Sequence, residues 1–149
     1  MTDARATRQR TRPVQPIAAA VGAVFVVVGV LGFIPGVTAD YDQLGFAGPG
    51  SAAMLFGVFA VSVLHNIVHL LFGVVGLAAA RSAAVSRAFL VIGGGVYLLL
   101  WVYGLAIDLS SSANFVPLNT ADNWLHLGLG VGMIGLGLLG TAIERTKIG

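Results

Sequence analysis

Residues 81–108, RSAAVSRAFLVIGGGVYLLLWVYGLAID, place the uncharged run Ala88–Ile107 between two arginines and an aspartate. Coiled as an α-helix, that run rises about 30 Å, the thickness of the hydrocarbon core of a bilayer. Basic residues stand at one end and an acid at the other. The rest of the chain repeats the arrangement. Apolar stretches at about 17–34, 52–80 and 123–143 join 88–107 as expected spans, with a basic tail at 1–16 and a short tail at 144–149. All eight Lys and Arg residues then fall on one side: Arg5, Arg8, Arg10 and Arg12 before the first span, Arg81 and Arg87 between the second and third, Arg145 and Lys147 after the fourth. The two remaining connections carry only Asp40, Asp42, Asp108 and Asp122 as charged residues. Positive residues stay on the cytoplasmic face of a membrane. The expectation is therefore an all-α, four-span integral membrane bundle with both termini cytoplasmic and the connections Pro35–Ser51 and Asp108–Asp122 outside.

Composition agrees. Hydrophobic residues make up 57% and charged residues 9%, against about 25% charged in a soluble domain. The net charge of +2 belongs to span flanks, and no basic stripe with interleaved aromatics exists, so nucleic acid is not an expected partner. The expected partner is the lipid bilayer, with a homo-oligomer or larger membrane complex open. With no cysteine, disulfides, thiolate metal sites and thiol nucleophiles are excluded. The first apolar run is also longer than the roughly 7–15 residues of a signal-peptide core, which favours a retained span over a cleaved leader.

The second and fourth spans share a motif. Asn66-Ile-Val-His69-Leu70-Leu-Phe-Gly73-Val74 and Asn123-Trp-Leu-His126-Leu127-Gly-Leu-Gly130-Val131 both read Asn-x-x-His-Leu-x-x-Gly-Val. Two helical hairpins related by an axis along the membrane normal would produce this, although spans one and three show no comparable match. At about 100° per residue, Ser62, His65, Asn66, His69, Gly73 and Gly76 share one face of span two, and Asn123, His126, Gly130 and Gly137 one face of span four. Gly94, Tyr97, Trp101, Gly104 and Asp108 stack along span three, and Gly22, Gly29 and Gly32 along span one. Lipid offers nothing to a polar side chain, so these faces should meet in a polar seam, with glycines admitting close approach. Counted from the basic flanks, His65 and His126 lie about 24 and 27 Å deep, and His69 about 18 Å, which pairs His65 with His126.

Every histidine thus lies within the spans. His65, His69 and His126 are the candidate cofactor residues: two imidazoles can hold a haem b iron, or a divalent metal with Asp108 or Asp122 adding oxygen. Imidazoles can also relay protons. The plainer reading is interhelical hydrogen bonding among histidines and asparagines, and it leads, because three histidines without cysteine form a thin ligand set. Asp108 and Asp122 are expected to cap helix ends, and Trp124 to anchor the outer interface. Gly130-Val-Gly132-Met-Ile-Gly135 matches a dinucleotide-binding fingerprint but lacks the preceding strand and following acid. No motif of catalysis appears, so the expected role is a structural or accessory membrane component, with a haem or metal protein and a small transporter or proton pathway as alternatives.

Three segments carry a family resemblance: Gly-Phe-Ile-Pro-Gly at 32–36, Leu64-His65-Asn66-x-x-His69-Leu70-x-x-Gly73, and Asn123-x-x-His126-x-x-Leu-Gly. With these, the chain from about Pro16 to Ala142 resembles the small bacterial membrane proteins catalogued as domain of unknown function 4383. The resemblance implies a four-span plasma-membrane protein, most typical of high-GC Gram-positive bacteria. It implies no activity.

Overall fold

The computed structural model describes residues 12–146; Arg5, Arg8, Arg10 and Lys147 lie outside the described residues. Four helices form the body: α1 (Val14–Leu31), α2 (Val63–Ala79), α3 (Ala83–Ala106) and α4 (Thr120–Thr146). Three are long and apolar enough to cross a membrane, α1, α3 and Thr120–Gly140 of α4, and α2 is a shorter apolar helix of 17 residues. The all-α expectation holds. Large apolar side chains, among them Leu71, Ile92, Leu99 and Leu139, point outward and are more than half exposed. Water would make such a surface an aggregation site, whereas acyl chains suit it. These helices suggest a multi-pass protein in a lipid bilayer.

The helices form two hairpins. α1 lies along α2, and α3 along α4; the hairpins meet chiefly where α1 crosses α3. Towards the end that carries Arg81 and Arg87, the basic end, the interior is mostly apolar: Val14, Ala18, Phe25, Ala79, Phe89, Leu90, Tyr97 and Met133 form one buried cluster, beside which the buried Ser86 hydroxyl donates to the Ala79 carbonyl.

Helix bounds differ from the sequence expectation in instructive ways. α1 starts before Pro16, because a proline in the first turn lacks only an N–H that has no helical partner there. α3 starts at Ala83, so the basic connection shrinks to Ala80–Ser82 and Arg87 stands inside the helix. The largest correction concerns the stretch 52–80. Its first eleven residues are not helical: β2 (Met54–Leu55) pairs antiparallel with both β1 (Thr38–Ala39) and β3 (Phe59–Ala60), in the order β1-β2-β3. Leu55 faces Thr38 and Phe59 in register. The tip of the β2–β3 turn needs positive φ, which Phe56 and Gly57 supply at 54° and 69°. The segment is apolar because Ala53, Leu55 and Val61 pack on Val28 and Leu31 at the end of α1, forming a second small core. Ser62, fully buried, then starts α2 by accepting a hydrogen bond from the His65 amide at 3.1 Å.

This sheet caps the acidic end of the bundle and touches the other acidic connection. The Gly48 amide donates to the Phe115 carbonyl at 2.7 Å, and Asn119 Nδ2 to the Val58 carbonyl at 2.8 Å.

Candidate functional site

The Asn-x-x-His repeat is a repeat of contacts as well as letters. In the first hairpin Gly22 of α1 meets Gly73 of α2 so closely that a Cβ on Gly73 would lie 2.6 Å from the Gly22 carbonyl oxygen. In the second, a Cβ on Gly94 of α3 would lie 2.7 Å from the carbonyl oxygen of Gly130 of α4. The asparagines match too. Asn66 sits on Gly32 and Asn123 on Gly104, each with its side-chain amide in the space that a Cβ on the glycine would need. The histidines follow: His69 lies 5.6 Å from Phe25 and His126 lies 5.2 Å from Tyr97, centroid to centroid. Phe25 and Tyr97 stack on each other at 5.5 Å with 19° between their planes. An approximate two-fold axis therefore passes between those two rings.

These contacts disclose a match between α1 and α3 that the sequence expectation lacked. Gly22-x-x-Phe25 followed by Gly32 corresponds to Gly94-x-x-Tyr97 followed by Gly104, with the same spacing. Val24 and Val30 recur as well, as Val96 and Val102, so between Gly22 and Gly32 four letters are identical and one is Phe for Tyr. Gly22, Gly32, Gly94 and Gly104 were legible as a small-residue stripe, but their partners were not.

The same correspondence resolves the histidines. The ring contacts equate His126 with His69, as the shared motif does, whereas the depth count concerns only which imidazoles lie at one level. His65 corresponds instead to Asp122, which the chain places at the same helical position, three residues after the first-turn caps Ser62 and Asn119. Each reaches towards the other hairpin. Asp122, 2% exposed, accepts at Oδ2 from the Ala60 amide at 3.0 Å and from the Asn119 amide at 2.9 Å. Asn119 Oδ1 accepts in return from the Asp122 amide at 3.0 Å, a reciprocal cap. The His65 ring, for its part, meets the backbone of Ala60 and of Pro117. The two acidic connections are thus tied together by one histidine and one aspartate.

The seam combines satisfied and unsatisfied groups. His65 and His69 lie 4.4 Å apart, centroid to centroid. Nδ1 of His65, His69 and His126, both side-chain polar atoms of Asn66, Oδ1 of Asn123 and Nε1 of Trp101 are buried without a hydrogen-bond partner in the protein. Among the described residues, no three His, Asp or Glu side chains are placed to hold a metal ion. The Phe25–Tyr97 stack, with Phe72 edge-on at 4.8 Å from Phe25, fills the space between the two hairpins. Asp108 does not join the seam. It is exposed beyond the end of α3 and accepts from the hydroxyl of Ser110 at 2.7 Å and its amide at 2.9 Å, which hold its carboxyl below the usual range. Tyr103, on the same helix, donates its hydroxyl to the Ala113 carbonyl and braces that connection.

A family model described as a domain of unknown function, DUF4383, matches residues 15–139. No curated protein and no solved structure matches the chain.

Proposed function

The chain belongs to the family described as a domain of unknown function, DUF4383, and from that premise we propose a small structural or accessory component of a bacterial plasma membrane, without catalysis of its own. It crosses the bilayer four times, with both termini cytoplasmic and the sheet-bearing connection outside. The segregation of Arg12, Arg81 and Arg87 from Asp40, Asp42 and Asp108 supports that orientation. α2 contributes about 25 Å of rise, at the short end of what a span needs.

The observation that carries the structural reading is the cross-hairpin lock. Asp122 binds the Ala60 amide, Asn119 binds the Val58 carbonyl, and the aromatic stack fills the axis. Polar groups in lipid glue helices at about 0.6 kcal/mol each, up to roughly 2. A second reading, a proton or polar-ligand pathway, is favoured by one observation: the three imidazole Nδ1 atoms lack protein partners. Against conduction stands the apolar cluster below Phe25 and Tyr97, beside which the buried Ser86 hydroxyl is already committed to the Ala79 carbonyl at 3.0 Å.

Thermal unfolding in detergent, run beside proton flux in proteoliposomes, separates the two. The structural reading expects His65→Ala to lower the melting temperature by several degrees, with flux equal to that of protein-free vesicles. Flux above that background that disappears in His69→Ala at unchanged melting temperature would replace it with the second reading. Orientation is tested separately, because the chain has no cysteine. In intact cells an impermeant maleimide should label Ser111→Cys and spare Ser82→Cys, and the opposite pattern would invert the topology.

A further inference from the structure

Towards the basic end, the faces of α2 and α3 part and leave a groove of about 490 Å³. Phe72, Val75 and Ala79 of α2 form one wall, and Val85, Phe89 and Ile92 of α3 the other. Every residue lining it is apolar or glycine. On α3 the wall extends from Val85 to Val96, a rise of about 16 Å. That is close to half the roughly 30 Å hydrocarbon core, the depth of one leaflet. At mid-depth the groove is closed by Phe72, whose ring packs edge-on against Phe25 and Tyr97.

The other end of the groove meets charge. The turn Ala80–Ser82 joins its two walls and carries the exposed side chain of Arg81. Ser82, at the N-cap of α3, makes no side-chain hydrogen bond to the first turn. The 24-residue α3 thus begins beside Arg81 with no side-chain cap, and a helix N-terminus favours an anion.

We propose that this groove is a binding site for one anionic phospholipid, with an acyl chain between α2 and α3 and the phosphate at Arg81 and the start of α3. The apolar walls take the chain, their length matches a single leaflet, and the one cationic side chain of the turn complements the headgroup. A zwitterionic lipid offers the same chain but no net charge to Arg81. The site rests on the membrane reading above, yet it can fail alone: a protein that partitions into bilayers without distinguishing headgroups keeps the first and loses the second.

The test is native mass spectrometry of the full chain in detergent, delipidated and then exposed to phosphatidylglycerol or phosphatidylcholine with identical acyl chains. One phosphatidylglycerol should be retained about five-fold more than phosphatidylcholine, the effect of one basic residue near an anionic headgroup. Arg81→Gln should remove that preference. Ala88→Phe, on an exposed rim position of the groove, should block retention of both lipids at unchanged melting temperature. Should that variant melt lower, Ala78→Phe from the facing wall takes its place. Equal retention of the two lipids by the wild type, or undiminished phosphatidylglycerol retention in Arg81→Gln or in the groove-filling variant, overturns the site.

Discussion

Gly73→Leu is expected to melt about 10 °C below the wild type in detergent, or to yield no folded protein. A Cβ there would stand 2.6 Å from the Gly22 carbonyl oxygen and 2.6 Å from the Val26 amide nitrogen. Both are backbone atoms of α1, so no side chain can turn aside and the helices must separate. Overpacking costs about 1–3 kcal/mol and more where backbone must move, and each kcal/mol shifts a chain of this size by about 2–4 °C. Gly94→Leu should cost a similar amount, because Gly130 answers it in the second hairpin as Gly22 answers Gly73. Gly128 and Gly132 provide the contrast. A Cβ at either meets nothing within 4 Å, so alanine there should leave stability unchanged or raise it by up to about 1 kcal/mol through helix propensity. A Gly73→Leu protein that melts with the wild type would show that α1 and α2 do not approach as described.

Asp122→Ala is the second large effect. The substitution strands two half-buried amides, those of Ala60 and Asn119, that now donate to one carboxylate oxygen. A fully buried unsatisfied group costs about 1–3 kcal/mol, so for two half-buried ones a combined loss of roughly 1–3 kcal/mol is expected. Asp122→Asn keeps one carbonyl oxygen and should cost less. The change should also be local before it is global. Hydrogen exchange at the Ala60 amide should accelerate sharply in Asp122→Ala while amides in the middle of α3 keep their protection. Unchanged exchange at Ala60 would mean that Asp122 does not tie the two acidic connections together.

The helices themselves were legible, and for a simple reason: lipid as solvent leaves long apolar runs with charges only at their ends. The polar faces were legible as well, because His65, Asn66, His69, Asn123 and His126 recur at helical spacing. The start of α2 was not. Residues 52–62 are as apolar as a span, yet they bury that surface on the end of α1 and not in lipid, and hydropathy does not tell these apart. The 29-residue length of the run was the available warning, since a span needs about 20. Nor was the full repeat legible. Phe25 and Tyr97 differ in letter, and the glycines around them recur within a chain of 21 glycines; only their partners on α2 and α4 distinguish them. The role of His65 was obscured likewise, since its counterpart is Asp122, an acid in place of an imidazole. Asp108 was placed on the seam by spacing along α3, but that helix ends at Ala106, and Ser110 holds the carboxylate at the surface.

The meeting of the two hairpins at an intramembrane axis is tested most directly by cross-linking in native membranes, in a chain with no cysteine of its own. The double variant Phe25→Cys/Tyr97→Cys should be joined by a short bifunctional thiol-reactive cross-linker that fills the space of the two rings, which lie 5.5 Å apart centroid to centroid. The control Phe25→Cys/Leu99→Cys, with Leu99 70% exposed on the outer face of α3, should not. Efficient cross-linking of the control pair with none between positions 25 and 97 would contradict the account.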